Sequence, residues 1–223
     1  MKTILISGGS DGLGLAIARL LAPEHKVIIT SRNEANLKAA AQEVGCEYKV
    51  GDVRDYAQME RVVSEIGDID CLVNNAGIWL QGPLDETDPA RIHETLEVNV
   101  LGVINLTKAV IPRMKQKKAG LIININSQAG LNVRAGWPVY SASKSAITGF
   151  TKSMQQELEP FGIGVAGLYP GTINTQLFAK ADVPKDLSHA LDPATVARAV
   201  AFMVECDGVA LFPEMGIKRF PHA

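Results

Sequence analysis

Six apolar runs of strand length punctuate the chain: "KTILIS" (2–7), "KVIIT" (26–30), "EYKVG" (47–51), "DCLVNN" (70–75), "GLIININS" (120–127) and "GVAGLYP" (164–170). Continuous runs of this kind suit strands covered on both faces. Between them, "GLAIARLLA" (14–22), "EANLKAAAQEV" (34–44), "AQMERVVSEI" (57–66), "ARIHETLEVNVLGVINLTKAVIPRMKQ" (90–116) and "SASKSAITGFTKSMQQELEPF" (141–161) carry apolar residues at i, i+3 and i+4, which predicts helices lying on a core. A further helix is predicted over about 192–206. The β-α alternation predicts an α/β fold, a doubly wound parallel sheet with right-handed crossovers and helices on both faces. Nothing reads as a linker, an internal repeat or a low-complexity tract, so residues 1–223 are expected to form a single domain. In such sheets ligands bind outside the carboxyl ends of the strands.

Composition narrows the partner. With 223 residues, 47% of them hydrophobic, the chain can bury a sizeable core. Lys plus Arg total 22 against 24 for Asp plus Glu, and a net charge of −2 offers no broad field for nucleic acid or an anionic membrane. A small molecule is the expected partner. The apolar run in "MKTILISGGSDG" is too short for a signal-peptide core or a membrane span, so a cytoplasmic location is expected. Cys46, Cys71 and Cys206 are odd in number and widely spaced, which suggests neither a disulfide framework nor a metal site.

The stretch "SGGSDGLG" (7–14) follows the first strand and opens the first helix. Its spacing departs from GxGxxG, but the physics is shared. Glycines allow close backbone approach, and a helix N-terminus offers free N–H groups to a pyrophosphate. A ligand-free turn is the alternative. At the end of the second strand, where dinucleotide folds that take NAD carry an acid, stand Ser31 and Arg32. A guanidinium there suits a 2′-phosphate and favours NADP(H) over NAD(H), unless Arg32 is an ordinary surface residue.

With "GDV" (51–53), "NNAG" (74–77), "NVLG" (99–102), Ser127, "YSASK" (140–144) and "YPGTINT" (169–175) also in view, the chain from residue 3 to about 175 resembles the classical short-chain dehydrogenase/reductase family. The resemblance implies a Rossmann-type sheet of order 3-2-1-4-5-6-7. It implies a cofactor site made of Gly8, Ser10, Asp11, Gly12, Leu13 and Gly14 in the first turn, with Ser31, Arg32 and Asn33 after the second strand. Asp52 and Val53 would bracket the adenine; Asn75, Ala76 and Gly77 would lie along the ribose and central sheet. Pro170, Gly171, Ile173 and Thr175 would hold the nicotinamide carboxamide and pyrophosphate. Asn99, Ser127, Tyr140 and Lys144 match the catalytic tetrad.

Tyr140 and Lys144 are four positions apart and, on a helix, share one face. A free tyrosine titrates near 10, too high for an efficient relay at neutral pH, and a neighbouring ammonium and an oxidised nicotinamide are both expected to favour the phenolate. Lys144 would also hold the nicotinamide ribose, and both Tyr140 and Lys144 count among the cofactor contacts. Ser127 would hydrogen-bond the substrate oxygen, and Asn99 would hold a water linked to Lys144. An Asn inside an apolar helix also needs a buried partner or marks a local break.

Beyond Thr175 the likeness thins. The glycine-rich motif that family members commonly carry at the last strand is missing, which puts the usual tetramer interface in doubt and leaves the pocket more open or closed by a partner chain. A homodimer or homotetramer is expected. Candidate pocket walls are Ile78, Trp79, Gln128, Val133, Trp137 and Phe178, suited to an apolar or aromatic carbonyl compound. The expected function is an NADP(H)-dependent oxidoreductase interconverting a carbonyl and a secondary alcohol. The alternative is a non-catalytic NADP(H)-binding regulatory or scaffold protein.

Overall fold

The computed structural model describes residues 1–181, 186–206 and 210–220. Part of the substrate segment expected after Thr175, and the last residues of the chain, lie outside the described residues. Strands β1 (Thr3–Ser7), β2 (Lys26–Ser31), β3 (Glu47–Val50), β4 (Cys71–Asn74), β5 (Gly120–Ile125), β6 (Ile163–Pro170) and β7 (Glu214–Ile217) form one parallel sheet of order β3-β2-β1-β4-β5-β6-β7. Helices α1 (Gly12–Leu21), α2 (Glu34–Val44), α3 (Tyr56–Ile66), α4 (Pro89–Leu96), α5 (Gly102–Lys117), α6 (Pro138–Leu158) and α7 (Pro193–Glu205) make the crossovers.

The apolar runs are continuous because the strands bury both faces. Ile4 and Ile6 of β1 pack with Ile17 of α1, Leu37 of α2 and Val200 of α7, whereas Leu5 between them packs with Met59 of α3 and Val110 of α5. Order reverses between β1 and β4, so the crevice opens at the carboxyl ends of these strands.

Two elements depart from the periodicity. The single helix predicted over 90–116 is instead α4, a π-turn at Glu97–Leu101 and α5, and Asn99 sits inside that turn. The last strand, which the family pattern left without its glycines, forms on Glu214–Ile217 and pairs with Gly167–Pro170 of β6. Its short run alternates exposed and half-buried positions, so it carries no apolar signature.

The first turn is drawn tight by glycine. Gly8 has φ +65°, and a Cβ there would stand 2.9 Å from Ala76 Cα. Gly14 packs still closer, since its Cβ would stand 2.3 Å from the Gly8 carbonyl oxygen and 2.6 Å from Asn75 Nδ2. We expect Gly14→Ala to destabilise the fold by about 1–3 kcal/mol through overpacking. A chemical-denaturation midpoint equal to that of the unmodified chain would contradict this close packing.

Candidate active site

Ser7, at the end of β1, and Asn75, just past β4, tie the two central strands together at the crevice. Ser7 Oγ accepts from the backbone N–H groups of Asn75 and Ala76 at 3.0 and 3.1 Å. Asn75 Nδ2 donates to the carbonyls of Ser7 and Gly8 at 3.0 and 3.1 Å. The Asn75 side chain thus fastens the glycine turn, and Gly14 lies beneath it.

Above this floor lies a cleft of about 690 Å³. Gly8, Ser10, Asp11, Gly12 and Leu13 line one end, with Ser31, Arg32, Asn33, Asp52 and Val53 beyond them; Asn75, Ala76 and Gly77 form the centre, and Pro170, Gly171, Ile173 and Thr175 stand opposite. The first turn and the segment after β6 nearly touch, since a Cβ on Gly12 would lie 3.3 Å from Thr175 Cβ. This elongated shape suits a dinucleotide. The glycines leave backbone room for a pyrophosphate beside the α1 N-terminus, and Arg32 supplies a cation at the β2 end. Asn33, besides lining the cleft, caps α2 by accepting from Asn36 N at 2.9 Å. Asp52 does not cap α3, which Asp55 does. Burial acts to raise the Asp52 pKa, but its hydrogen bonds from Arg54, one of 2.6 Å from Nη2, outweigh that and hold the carboxyl below its usual range.

At the other end, β5 and α6 bring Ser127, Tyr140 and Lys144 together on the cleft. Strand β5 stops at Ile125, two residues earlier than the sequence predicted, because Ser127 turns to cap a short 3-10 turn and accepts from Ala129 N at 3.1 Å. Pro138 at the first turn of α6 starts the helix, and Tyr140 and Lys144 follow one turn apart. Lys144 is 7% exposed and donates to the Ile125 carbonyl at 3.1 Å. Burial lowers its pKa to about 8. Burial also raises Tyr140 to about 12, with the Ser127 hydroxyl hydrogen-bonded against that shift. A lowering of Tyr140 by Lys144 is therefore not found: loss of solvent is the larger cause, the Ser127 hydroxyl acts against it, and Lys144 Nζ lies 5.8 Å from the ring centroid.

Asn99 does not line the cleft but stands behind its wall, fully buried. Its Oδ1 accepts from Ile78 N at 2.8 Å, and its Nδ2 donates to Ile78 O at 3.0 Å and to Ser143 Oγ at 3.2 Å. Both amide hydrogens are thus spent on protein. The side chain ties the loop after β4 to α6, and it provides the buried partners that an Asn in an apolar helix requires.

Trp79, Tyr140 and Phe178 form an aromatic cluster, with Trp79 at 4.3 Å from Tyr140 and 5.0 Å from Phe178 between ring centroids. Trp137 closes edge-on against Trp79 at 4.7 Å. Ile78 and Gln128 line the cleft beside them, and Gln128 Nε2 donates to the Tyr169 carbonyl at 2.8 Å. Val133 is a correction: it is 72% exposed and outside the cleft, because the loop before α6 points it to solvent.

Several residues went unread in the sequence. Asn126, at the foot of β5, accepts from Ser127 N at 2.9 Å and donates to Thr148 Oγ1 on α6 at 3.0 Å. Deeper in, Asn124 donates to Thr151 Oγ1, and Asn74 donates to Asn124 and Thr107, each at 2.9 Å. Lys180 pairs with Asp11 across the cleft mouth, and Arg134, Lys218 and Arg219 also line it. Asn74 opens the "NNAG" motif but the resemblance implies no role for it, and the others fall in no recognisable motif; only the spacing of Thr148 and Thr151 from Lys144 along one helix offers a signal.

Comparison with known proteins agrees with this architecture. The family model described as "short chain dehydrogenase" matches residues 2–185. The chain is 34% identical over 219 residues to carbonyl reductase family member 4 of Xenopus tropicalis, covering 92% of this chain and 91% of that one. It is 34% identical over 217 residues to the 3-oxoacyl-[acyl-carrier-protein] reductase of Vibrio cholerae, covering 91% and 89%. A serine dehydrogenase solved with NADP+ superposes with a TM-score of 0.90 at 28% identity, covering 96% of this chain and 94% of that one. Among the described residues, no helix is long and apolar enough to cross a membrane.

Asn99→Ala would leave the Ile78 backbone groups and Ser143 without this partner. We expect a loss of about 1–3 kcal/mol in urea unfolding, with no loss contradicting the tie.

Proposed function

As the chain belongs to the short-chain dehydrogenase/reductase family, we propose that it is an NADP(H)-dependent oxidoreductase that interconverts a carbonyl and a secondary alcohol. The observation that carries this reading is the convergence of Ser127, Tyr140 and Lys144 on one end of a dinucleotide-shaped cleft. A protein that only bound the cofactor would not need a buried phenol hydrogen-bonded to a serine there. The Arg32 position and the NADP+ complex of a similar fold support the phosphorylated cofactor.

The first turn would hold the pyrophosphate, Arg32 the 2′-phosphate, and Asn75 through Gly77 the central ribose. Bound there, the nicotinamide supplies or accepts the hydride. Ser127 Oγ then orients the substrate oxygen, and Tyr140 Oη delivers its proton to that oxygen in the reduction direction. Burial keeps the phenol protonated across the neutral range, the form a proton donor needs. Lys144, as an ammonium, donates to the ribose hydroxyls and favours the phenolate left after transfer. Asn99 holds the wall against α6 while this happens.

Following NADPH absorbance against aldehydes, ketones and quinones tests the activity. Tyr140→Phe should keep NADPH affinity within a few fold while turnover falls by about a thousandfold or more; full retained activity would remove the proposed acid. Arg32→Ala should erode the preference for NADPH, and a wild-type preference for NADH would sink the cofactor assignment. Saturable NADPH binding without turnover on any substrate would favour a binding protein instead.

The Lys144 pKa of about 8 sets a pH dependence. Below it the ammonium is present; as pH rises through it the charge is lost. NADPH affinity should therefore weaken from about pH 8 upward in fluorescence titration. Lys144→Arg, charged throughout, should flatten that profile, and an unmodified enzyme with a flat profile from pH 7 to 10 would contradict the assignment.

A further inference from the structure

The chain as a whole carries a net charge of −2, yet the substrate mouth of the cleft is cationic. Arg134 reaches it from the loop before α6, and Lys218 and Arg219 reach it from the tail just past β7. Gln128 brings the two segments together. A Cβ on Gly216 of β7 would stand 3.4 Å from Gln128 Nε2, and Asn132 Nδ2 donates to Gln128 Oε1 at 3.4 Å. The C-terminal segment that departs from the family pattern therefore passes the substrate pocket at Lys218 and Arg219.

Arg134 and Arg219 are held by neighbours. The Arg134 guanidinium lies over the Trp137 ring, 5.3 Å from its centroid, a cation–π contact that uses none of its hydrogen-bond donors. Arg219 Nη1 donates to the Ser188 carbonyl at 2.7 Å and meets His189 Nδ1 at 3.0 Å. Among the described residues, the carboxylates lining the cleft are Asp11 and Asp52, and each has its own cation, Lys180 and Arg54. Both belong to the cofactor end. Among the described residues, no carboxylate pairs with Arg134 or Lys218 at the substrate mouth, and the aromatic wall of Trp79, Trp137 and Phe178 gives their charge a low-dielectric backing.

We propose that the substrate carries an anionic group, carboxylate or phosphate, on an apolar or aromatic body that bears the carbonyl. The carbonyl faces Ser127 and Tyr140, the body lies against the indoles, and the anion meets Arg134 and Lys218 at the rim. A planar guanidinium suits either anion through paired hydrogen bonds. This assignment rests on the oxidoreductase reading for the identity of the carbonyl, but the anion preference is measurable without turnover.

The test uses three aromatic ketones of one shape: 4-acetylbenzoate, its methyl ester and 4-acetylphenyl phosphate. Each is titrated by calorimetry into the full-length protein saturated with NADP+, with which a ketone does not react. One of the two anions should bind about tenfold or more tightly than the ester, and the tighter of them identifies the head group. The preference should shrink at least severalfold in 0.5 M salt, through screening. It should collapse in Arg134→Gln/Lys218→Gln, while Lys26→Gln, at the opposite end of the sheet, leaves it intact. Equal affinity for ester and anions, an undiminished preference in the double variant, or no anion binding at millimolar concentration overturns the proposal. NADPH oxidation by the same three ketones reports separately on the oxidoreductase reading: an anion preference without turnover leaves the anion site standing, and turnover without preference leaves the enzyme standing.

Discussion

Helix α6 is held against β5 by polar contacts made inside the protein, and the geometry of the site depends on that grip. Lys144 bonds the Ile125 carbonyl, Asn126 bonds Thr148, and Asn124 bonds Thr151, so three turns of the helix are tied to three adjacent residues at the carboxyl end of β5. Apolar packing alone would tolerate a small slide or rotation. Buried hydrogen bonds do not, because a mismatched donor or acceptor costs far more than the ~1 kcal/mol that a made bond contributes. Their yield is therefore register more than stability. Asn126 extends the grip to the site itself, since the same carboxamide that holds Thr148 accepts from the backbone N–H of Ser127.

Within that frame burial pushes the two titrating groups toward their uncharged forms, Tyr140 upward to about 12 and Lys144 downward to about 8. A phenol that stays protonated and an amine poised to change charge near neutrality are complementary. The first keeps a proton available for delivery; the second responds to whatever charge enters beside it. Asn99 belongs to the same economy of burial. Its π-turn interrupts an otherwise apolar helix, and its carboxamide is satisfied by Ile78 and Ser143.

The sheet was legible in the sequence because strands covered on both faces cannot hide their apolar character, and β1 shows this directly in the opposite packing of Ile4 and Leu5. The glycine turn and the Tyr140–Lys144 spacing were legible because backbone clearance and helical pitch leave local marks. The break between α4 and α5 was not, since periodicity continues through Asn99 and only its amide hinted at an interruption. Strand β7 was hidden by its brevity and half-exposure. Val133 was misplaced because proximity in sequence to Trp137 says nothing about which way a loop residue points. Arg134 and Lys218 line one cleft through segments that meet at Gln128, a relation no local pattern encodes.

The pair between Lys180 and Asp11 joins residues 169 positions apart and spans the cleft from lip to lip. In the proposed cofactor complex a phosphate at the glycine turn would compete with Asp11 for the same ammonium, so that one ionic contact would dissolve as another formed. Net ion pairing would then change little on occupancy. The number of cations around this cleft would accordingly overstate how steeply ligand affinity responds to ionic strength, and the displaced Asp11 carboxylate would be free to repel a second anion from the same lip.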